Sequence, residues 1–388
     1  MFNGCSGLTS LNLSNFNTKN VENMKYMFYE CWKLTQLTFC ATFTVEDVEN
    51  MSYMFYNCSG LKVLDLTNFK TSSAKDMSYM FYGCSGLTSL KISNFNTENV
   101  TNMSCMFYGC KGLTSLEISN FKTGNVTTMN GMFDGSNKLM SLDLSNFNTE
   151  NVTNISYLFY GCSALISLDL RNFNTTKVTN LGAMFTGCKK LRLLDLSKAT
   201  GIVSDVINKL SKEIRPLIYI KSDSDIPTTS DKINIIVNGK CEHLVIDYDD
   251  TNADQLLLKV PYKFTANKIT INRDFVAGNP HTLYLPFTMD ADAKTYGTFY
   301  TYGGYDNGTV TFNELTDATT TVNTPYLFKS KESGTIVIDG SITVEPNTTQ
   351  GEAQIDNETD ADANGRFIGV YEKKTFTKDE ADAGIYYG

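Results

Sequence analysis

The sequence predicts an α/β solenoid, a parallel β ladder with short helices, followed by an all-β sandwich-like module. Three observations predict it. A block of about 26 residues recurs through residues 1–200, timed by Cys5, Cys31, Cys58, Cys84, Cys110, Ser136, Cys162 and Cys188 and by Phe16, Phe43, Phe69, Phe95, Phe121, Phe147 and Phe173. Within each block the apolar spacing switches from alternate residues to every third or fourth. Beyond residue 250 only short alternating or apolar runs remain, separated by turn signals. Self-similarity at this period marks a stacked array, whose surface offers ladders of equivalent positions to a partner.

The block from Cys84 shows how each element is read. Leu87-x-x-Leu90-x-Ile92 alternates with Ser89, Lys91 and Ser93, the period of a short strand with one face buried. Asn94-Phe95 turns the chain and sends an aromatic inward. Val100, Met103, Met106, Phe107 and Cys110 then fall on one stripe of a short helix, which Asn99 or Thr97 would cap. Gly109, like Gly83, Gly161, Gly187 and Asn57, stands where a left-handed C-terminal residue is wanted. Neither strand nor helix buries its apolar side alone, so stacking is what makes the core. Its strands would lie about 4.8 Å apart.

After Leu194-Asp195-Leu196 the wording changes. Residues 202–213 read as an amphipathic helix, and Leu217–Ile220 and Leu244–Ile246 as strands at roughly repeat-length intervals. Residues 201–248 are therefore expected to close the solenoid of residues 1–200, because an uncapped last coil exposes apolar surface. Residues 249–388 form the expected β module. Its strands are Leu256–Val260, Lys268–Asn272, Thr282–Leu285, Thr298–Tyr302, Thr309–Asn313, Tyr326–Lys329, Thr335–Ile338, Ile342–Glu345, Arg366–Tyr371 and Ile385–Tyr387. Turns are expected at Asp306-Asn307-Gly308 and Asp339-Gly340.

The net charge of −9 argues against nucleic acid and anionic membrane surfaces as partners, and no apolar run is long enough to span a bilayer. Met1-Phe2-Asn3-Gly4-Cys5 matches Met80-Phe81-Tyr82-Gly83-Cys84 in mid-repeat, so the chain is expected to be a piece of a longer protein. Seven of the ten cysteines hold one repeat position. Stacked Cβ atoms near 4.8 Å are too far apart for a disulfide, so these read as buried thiols filling the core. Cys40, Cys105 and Cys241 have no evident partner, and no zinc spacing occurs.

No catalytic constellation is present: His243 and His281 lie near no nucleophile motif, and no phosphate-binding glycine loop occurs. No cofactor is expected. Asp360-Ala361-Asp362-Ala363-Asn364-Gly365 begins like a calcium loop, but its twelfth position is Tyr371 rather than glutamate. It reads as a solvated hairpin loop.

Two faces are candidates for binding. The centre of each L-x-L triplet presents Asn12, Thr38, Asp65, Lys91, Glu117, Asp143, Asp169 and Asp195, a ladder whose last four members are acidic. The alternative is a tyrosine stripe. Tyr29, Tyr56, Tyr82, Tyr108 and Tyr160 follow the Met-Phe pairs, with Tyr26, Tyr53, Tyr79 and Tyr157 three residues earlier. Each face has a plain alternative, a solvated sheet for the first and a lid over the core for the second.

The phrase Leu-x-x-Leu-Asp-Leu-Ser-Asn-Phe-Asn-Thr-x-x-Val-Thr-Asn-x-x-x-x-Phe-x-Gly-Cys-x-x-Leu, clearest from Leu139 to Leu165, resembles the BspA-type leucine-rich repeat in its 26-residue form. The resemblance covers residues 1 to about 200 and implies a non-catalytic, adhesin-like bacterial surface protein. Its implied ligands are extracellular host proteins of the matrix or cell surface. A carbohydrate-binding module and a structural stalk are the alternatives.

Overall fold

The computed structural model describes residues 1–39, 43–210, 214–227, 233–247, 260–289, 295–306, 309–316 and 319–346. They fall into two compact units, Met1–Ser230 and Asp231–Gly388.

The first unit is a solenoid. Its leucine positions build strands β1 (Ser10–Leu13), β2 (Gln36–Phe39), β3 (Val63–Asp65), β4 (Ser89–Lys91), β5 (Ser167–Asp169), β6 (Leu193–Asp195) and β7 (Leu217–Ile220). They pair in parallel as β1–β2, β3–β4 and β5–β6–β7, in register by the repeat: Leu64 faces Leu90, and Leu168 faces Leu194. The Leu217–Ile220 strand is where the sequence places it, continuing the ladder beyond the last regular repeat. Residues 113–118 and 139–144 bury the same leucines and isoleucines without forming strands.

The predicted helices are absent from the repeats. Their apolar stripe is buried as expected, Met103, Met106, Phe107 and Cys110 included. The backbone, however, is a run of turns. Met103, Cys105, Phe107 and Gly109 donate their N–H groups to Thr128, Asn130, Met132 and Asp134 of the next coil. Between them, Met106, Tyr108 and Cys110 donate to the carbonyls three residues back. Cys105 and Gly109 have φ of +53° and +66°, at the third position of such turns, where a left-handed residue belongs. A helix would satisfy these groups within itself; here alternate groups satisfy the neighbour. A stripe spaced by three and four residues fits both, which is why the sequence misleads. This flank carries the unbroken parallel ladder, Asn23–Asn50–Asp76–Asn102–Thr128–Asn154–Asn180.

Thr97 and Asn99 accordingly cap no helix. The buried Thr97 hydroxyl donates to Lys122 O at 2.9 Å and accepts from Lys122 N at 2.8 Å, clasping the next coil. Thr18, Thr71, Thr123, Thr149 and Thr175 donate in the same way. Asn99 reaches the other way, to Ser72 O.

Phe28, Phe55, Phe81, Phe107, Phe133, Phe159 and Phe185 stack through the core, centroids 5.2–5.9 Å apart. The repeat thiols are free and, apart from the half-buried Cys5, buried as expected, and the buried ones also donate hydrogen bonds. Cys84 Sγ donates to Phe55 O at 3.0 Å and Cys162 Sγ to Phe133 O at 3.1 Å; Ser136 Oγ makes the equivalent bond to Phe107 O at 2.8 Å. Serine replaces cysteine once because the site needs a small donor.

The helix expected over 202–213 shortens to α1 (Val203–Ile207), whose first turn has no side-chain cap. Residues 211–213 lie outside the described residues.

The second unit is all β among its described residues. Strands β8 (Ile235–Val237) and β9 (Lys240–Cys241) form a hairpin; β9 and β10 (Leu244–Asp247) pair in parallel with β11 (Phe264–Phe275), and β16 (Gly334–Val344) pairs antiparallel with β11. A second, antiparallel sheet orders β12 (Pro280–Tyr284), β15 (Pro325–Ser330), β13 (Gly297–Asp306) and β14 (Thr309–Glu314). Asp339-Gly340 does not turn the chain, contrary to expectation. Gly340, at φ +131°, lies where the β11–β16 register slips, so the two expected strands are one strand with a bulge. Cys40, the 360–365 loop, the strands at 366–371 and 385–387 and most of 256–260 lie outside the described residues.

Candidate interaction surface

The strand flank carries the acidic ladder, and the structure gives most of its members a local task. Asp65 Oδ1 accepts the Thr67 N–H at 3.1 Å, Asp143 the Ser145 N–H at 3.0 Å, Asp169 the Arg171 N–H at 3.1 Å and Asp195 the Ser197 N–H at 2.9 Å. The aspartate of each L-x-L triplet thus holds the turn that follows its strand. Hydrogen bonds from Thr67 and Ser145 hold the Asp65 and Asp143 carboxyls below their ordinary range, and those from Arg171 do the same for Asp169.

Cations interrupt the ladder. Lys91 pairs with Asp65 at 3.0 Å, and Arg171 lies between Asp169 and Asp195, at 2.5 and 3.6 Å. Asp195 is not the exposed position expected: it is 4% exposed, covered by β7, where Tyr219 is its register partner. Glu117 and Asp143 are exposed and carry no ion pair among the described residues. They stand in the two coils whose L-x-L segments form no strand.

The tyrosines occupy the turn flank, in two neighbouring columns. Tyr29, Tyr56, Tyr82 and Tyr108 stack face to face at 4.7, 4.5 and 4.3 Å, within 11° of parallel. Tyr53 and Tyr79 stack at 4.5 Å, and Tyr26 lies 4.9 Å from Tyr53. Burial in the stack pushes the Tyr82 and Tyr56 phenols up. Tyr26, Tyr53, Tyr79 and Tyr157 hold φ between +57° and +60°. A left-handed tyrosine costs about 1–2 kcal/mol over glycine there. Lys25 Nζ lies 5.0 Å from the Tyr26 ring centre and 5.7 Å from that of Tyr53.

The columns then break. The next positions are Cys105 and Gly131 in one and Asp134 in the other, and tyrosine resumes only at Tyr157 and Tyr160. Tyr82 and Tyr108 are therefore brought together, and Tyr160 is not with them. The sequence holds the signal for this break, since the tyrosine series jumps from Tyr108 to Tyr160. Among the described residues no group of three or more histidine, cysteine or acidic side chains is placed to hold a metal. No described helix is long and apolar enough to cross a membrane.

The family model described as "Mycoplasma protein of unknown function, DUF285" matches residues 1–112 and 84–198. No curated protein matches the chain. Among solved structures it is similar to a leucine-rich repeat protein from Bacteroides ovatus, at 15% identity and a TM-score of 0.28, over 63% of this chain and 80% of that chain.

Proposed function

Because this chain belongs to the Mycoplasma family of unknown function DUF285 through residues 1–198, and carries the BspA-type leucine-rich repeat there, we propose that it is a non-enzymatic, adhesin-like surface protein. It acts at the cell surface or after secretion. It binds extracellular or host macromolecules, proteins of the matrix or cell surface foremost, through the solenoid. The observation that carries this reading is the tyrosine flank. Four coils keep tyrosine at a left-handed position where glycine would sit without strain. Strain retained in several coils points to a use for the side chain. Tyrosine is also the residue of choice for anchoring a partner, since it buries a large apolar face and keeps a polar tip.

Within the stack each ring face is covered by the next ring, so Tyr56 and Tyr82 offer edges and hydroxyls rather than open faces. That favours a protein partner over a sugar stacked along the column. On the strand flank, Glu117 and Asp143 are the ladder carboxylates with no ion pair among the described residues, and they suit a basic patch on the same partner. The all-β second unit reads as a sandwich-like module. Phe275 of one sheet meets Phe328 of the other edge-on at 5.5 Å, which supports that reading.

The test is a binding screen of the purified chain against matrix and cell-surface proteins beside a glycan array. A protein ligand is expected, weakened at least about tenfold by Tyr82→Ala with Tyr108→Ala, an anchor-sized loss. Glu117→Ser with Asp143→Ser should lower its salt dependence. Binding to glycans alone moves the function to the carbohydrate class; binding to nothing leaves a structural stalk.

A further inference from the structure

The break in the tyrosine columns leaves one position of a regular stack without its ring. Along the outer column the rings stand 4.3–4.7 Å apart, one per coil. Asp134 replaces one ring, so the gap between Tyr108 and Tyr160 is the slot that a single flat group fills elsewhere in the column. Tyr108 stacks on Tyr82, which leaves its other face toward this slot. Tyr160 is 38% exposed and Tyr157 47% exposed, the two most open tyrosines of the repeats. In the inner column Gly131 is buried and has no side chain, and Cys105 Sγ fills the space beside it, 3.1 Å from where a Cβ would stand.

A half-buried carboxylate occupies this slot. Among the described residues Asp134 has no ion pair and no side-chain hydrogen bond. Burial pushes its carboxyl up to about 6. A carboxylate between aromatic faces, short of counter-charge, is the chemistry that recognises a cation. The same flank already holds one at its other end, where Lys25 lies over Tyr26 and Tyr53. A guanidinium matches the slot better than an ammonium. It is planar like the ring it would replace, stacks on aromatic faces and donates two parallel hydrogen bonds to a carboxylate.

We infer that the notch formed by Tyr108, Asp134, Tyr157 and Tyr160 receives an arginine side chain of a partner protein. This deepens the proposed protein-binding role and rests on it for the partner. The slot chemistry is tested separately.

The test titrates the full chain with N-acetyl-arginine amide, and with N-acetyl-citrulline amide as its neutral near-isostere, by NMR or calorimetry at pH 7.5. Binding of the arginine compound is expected in the range of about 1–10 mM, as one cation–π contact plus one carboxylate allows. The citrulline compound should bind at least about fivefold more weakly. Asp134→Asn should cause a similar loss at unchanged thermal stability or better. Asp134→Tyr, which fills the slot with the residue of neighbouring coils, should abolish binding. Equal binding of the two compounds, no saturation by either at 50-fold excess over the expected range, or equal binding by Asp134→Asn would overturn the inference. So would preference for a neutral hexose. If a protein ligand found in the wider screen binds Asp134→Tyr unchanged, the notch is overturned as its site while the wider reading stands. If the screen finds no ligand but arginine titrates as expected, the reverse holds.

Discussion

Both flanks of the solenoid bury their apolar positions in one core, yet only one is continuously bonded. On the turn flank the ladder from Asn23 to Asn180 has no gap, and four N–H groups per coil reach the next coil, as from Met103 to Gly109. On the strand flank, β4 and β5 are separated by two coils without strand pairing, those of Glu117 and Asp143. Backbone that closes its own turns with left-handed residues is fixed by local geometry and stacks the same way each time. A flat strand flank depends more on what its side chains do to one another across 4.8 Å or so, and it is interrupted between β2 and β3 as well as between β4 and β5. The turn flank should therefore hold the stability, and the strand flank should be the easier one to alter.

The largest test of that asymmetry is Phe107→Ala. Phe107 is fully buried between Phe81 and Phe133, at 5.6 and 5.9 Å, and its carbonyl also takes the Ser136 hydroxyl. The loss should be about 3–5 kcal/mol in chemical denaturation, or outright failure to fold. Thr97→Val comes next. Valine keeps the shape of threonine but leaves Lys122 O and N without their partner, at an expected loss of about 2 kcal/mol. A strand-flank change such as Asp143→Ser should stay within about 0.5 kcal/mol by the same measurement. Equal losses from Thr97→Val and Asp143→Ser would remove the asymmetry.

Cys84 separates filler from donor. If the thiol only fills space, Cys84→Ala and Cys84→Ser should both destabilise, the serine more, because a hydroxyl is harder to bury. If its bond to Phe55 O matters, serine should come within about 1 kcal/mol of the native chain and alanine should fall below serine. The second ranking is expected, since Ser136 already takes this place in one coil.

Much of this was legible in the sequence, and what was not has identifiable causes. The period, the buried leucines, methionines and phenylalanines and the Leu217–Ile220 strand all follow from apolar spacing. The helix did not, because spacing by three and four residues describes successive turns as well as a helix. The sign against a helix was the residue type at the left-handed positions, but tyrosine at Tyr53 and Tyr79 hides it where glycine at Gly131 would have declared it. The threonine clasps were misread as caps, since a cap and a clasp use the same hydroxyl. The single Ser136 was the visible clue that the thiols donate. Asp195 looked exposed by alternation, and only the following strand, outside the regular repeat, covers it.

The dependence on pH sharpens the comparison most, because the two flanks should titrate in opposite directions. Asp134, on the turn flank, has its carboxyl raised to about 6 by burial. Asp143, on the strand flank, is held low by its bonds to Ser145. An unfolded aspartate titrates near 4 or so. Asp134 therefore contributes most below that pH, and the contribution is lost as pH rises through about 6. Asp143 contributes above the unfolded value, and loses it as pH falls below that range. Asp134→Asn should thus gain on the native chain between pH 4 and 7.5, by about 1 kcal/mol once the solvent contact of a half-exposed group is discounted. Asp143→Asn should fall behind the native chain at pH 7.5 and draw level in strong acid. Thermal melts of the three proteins across this range measure both slopes at once. A common slope would mean that Asp134 is solvated like its strand-flank counterpart, and that the turn flank has no half-buried carboxylate to offer a partner.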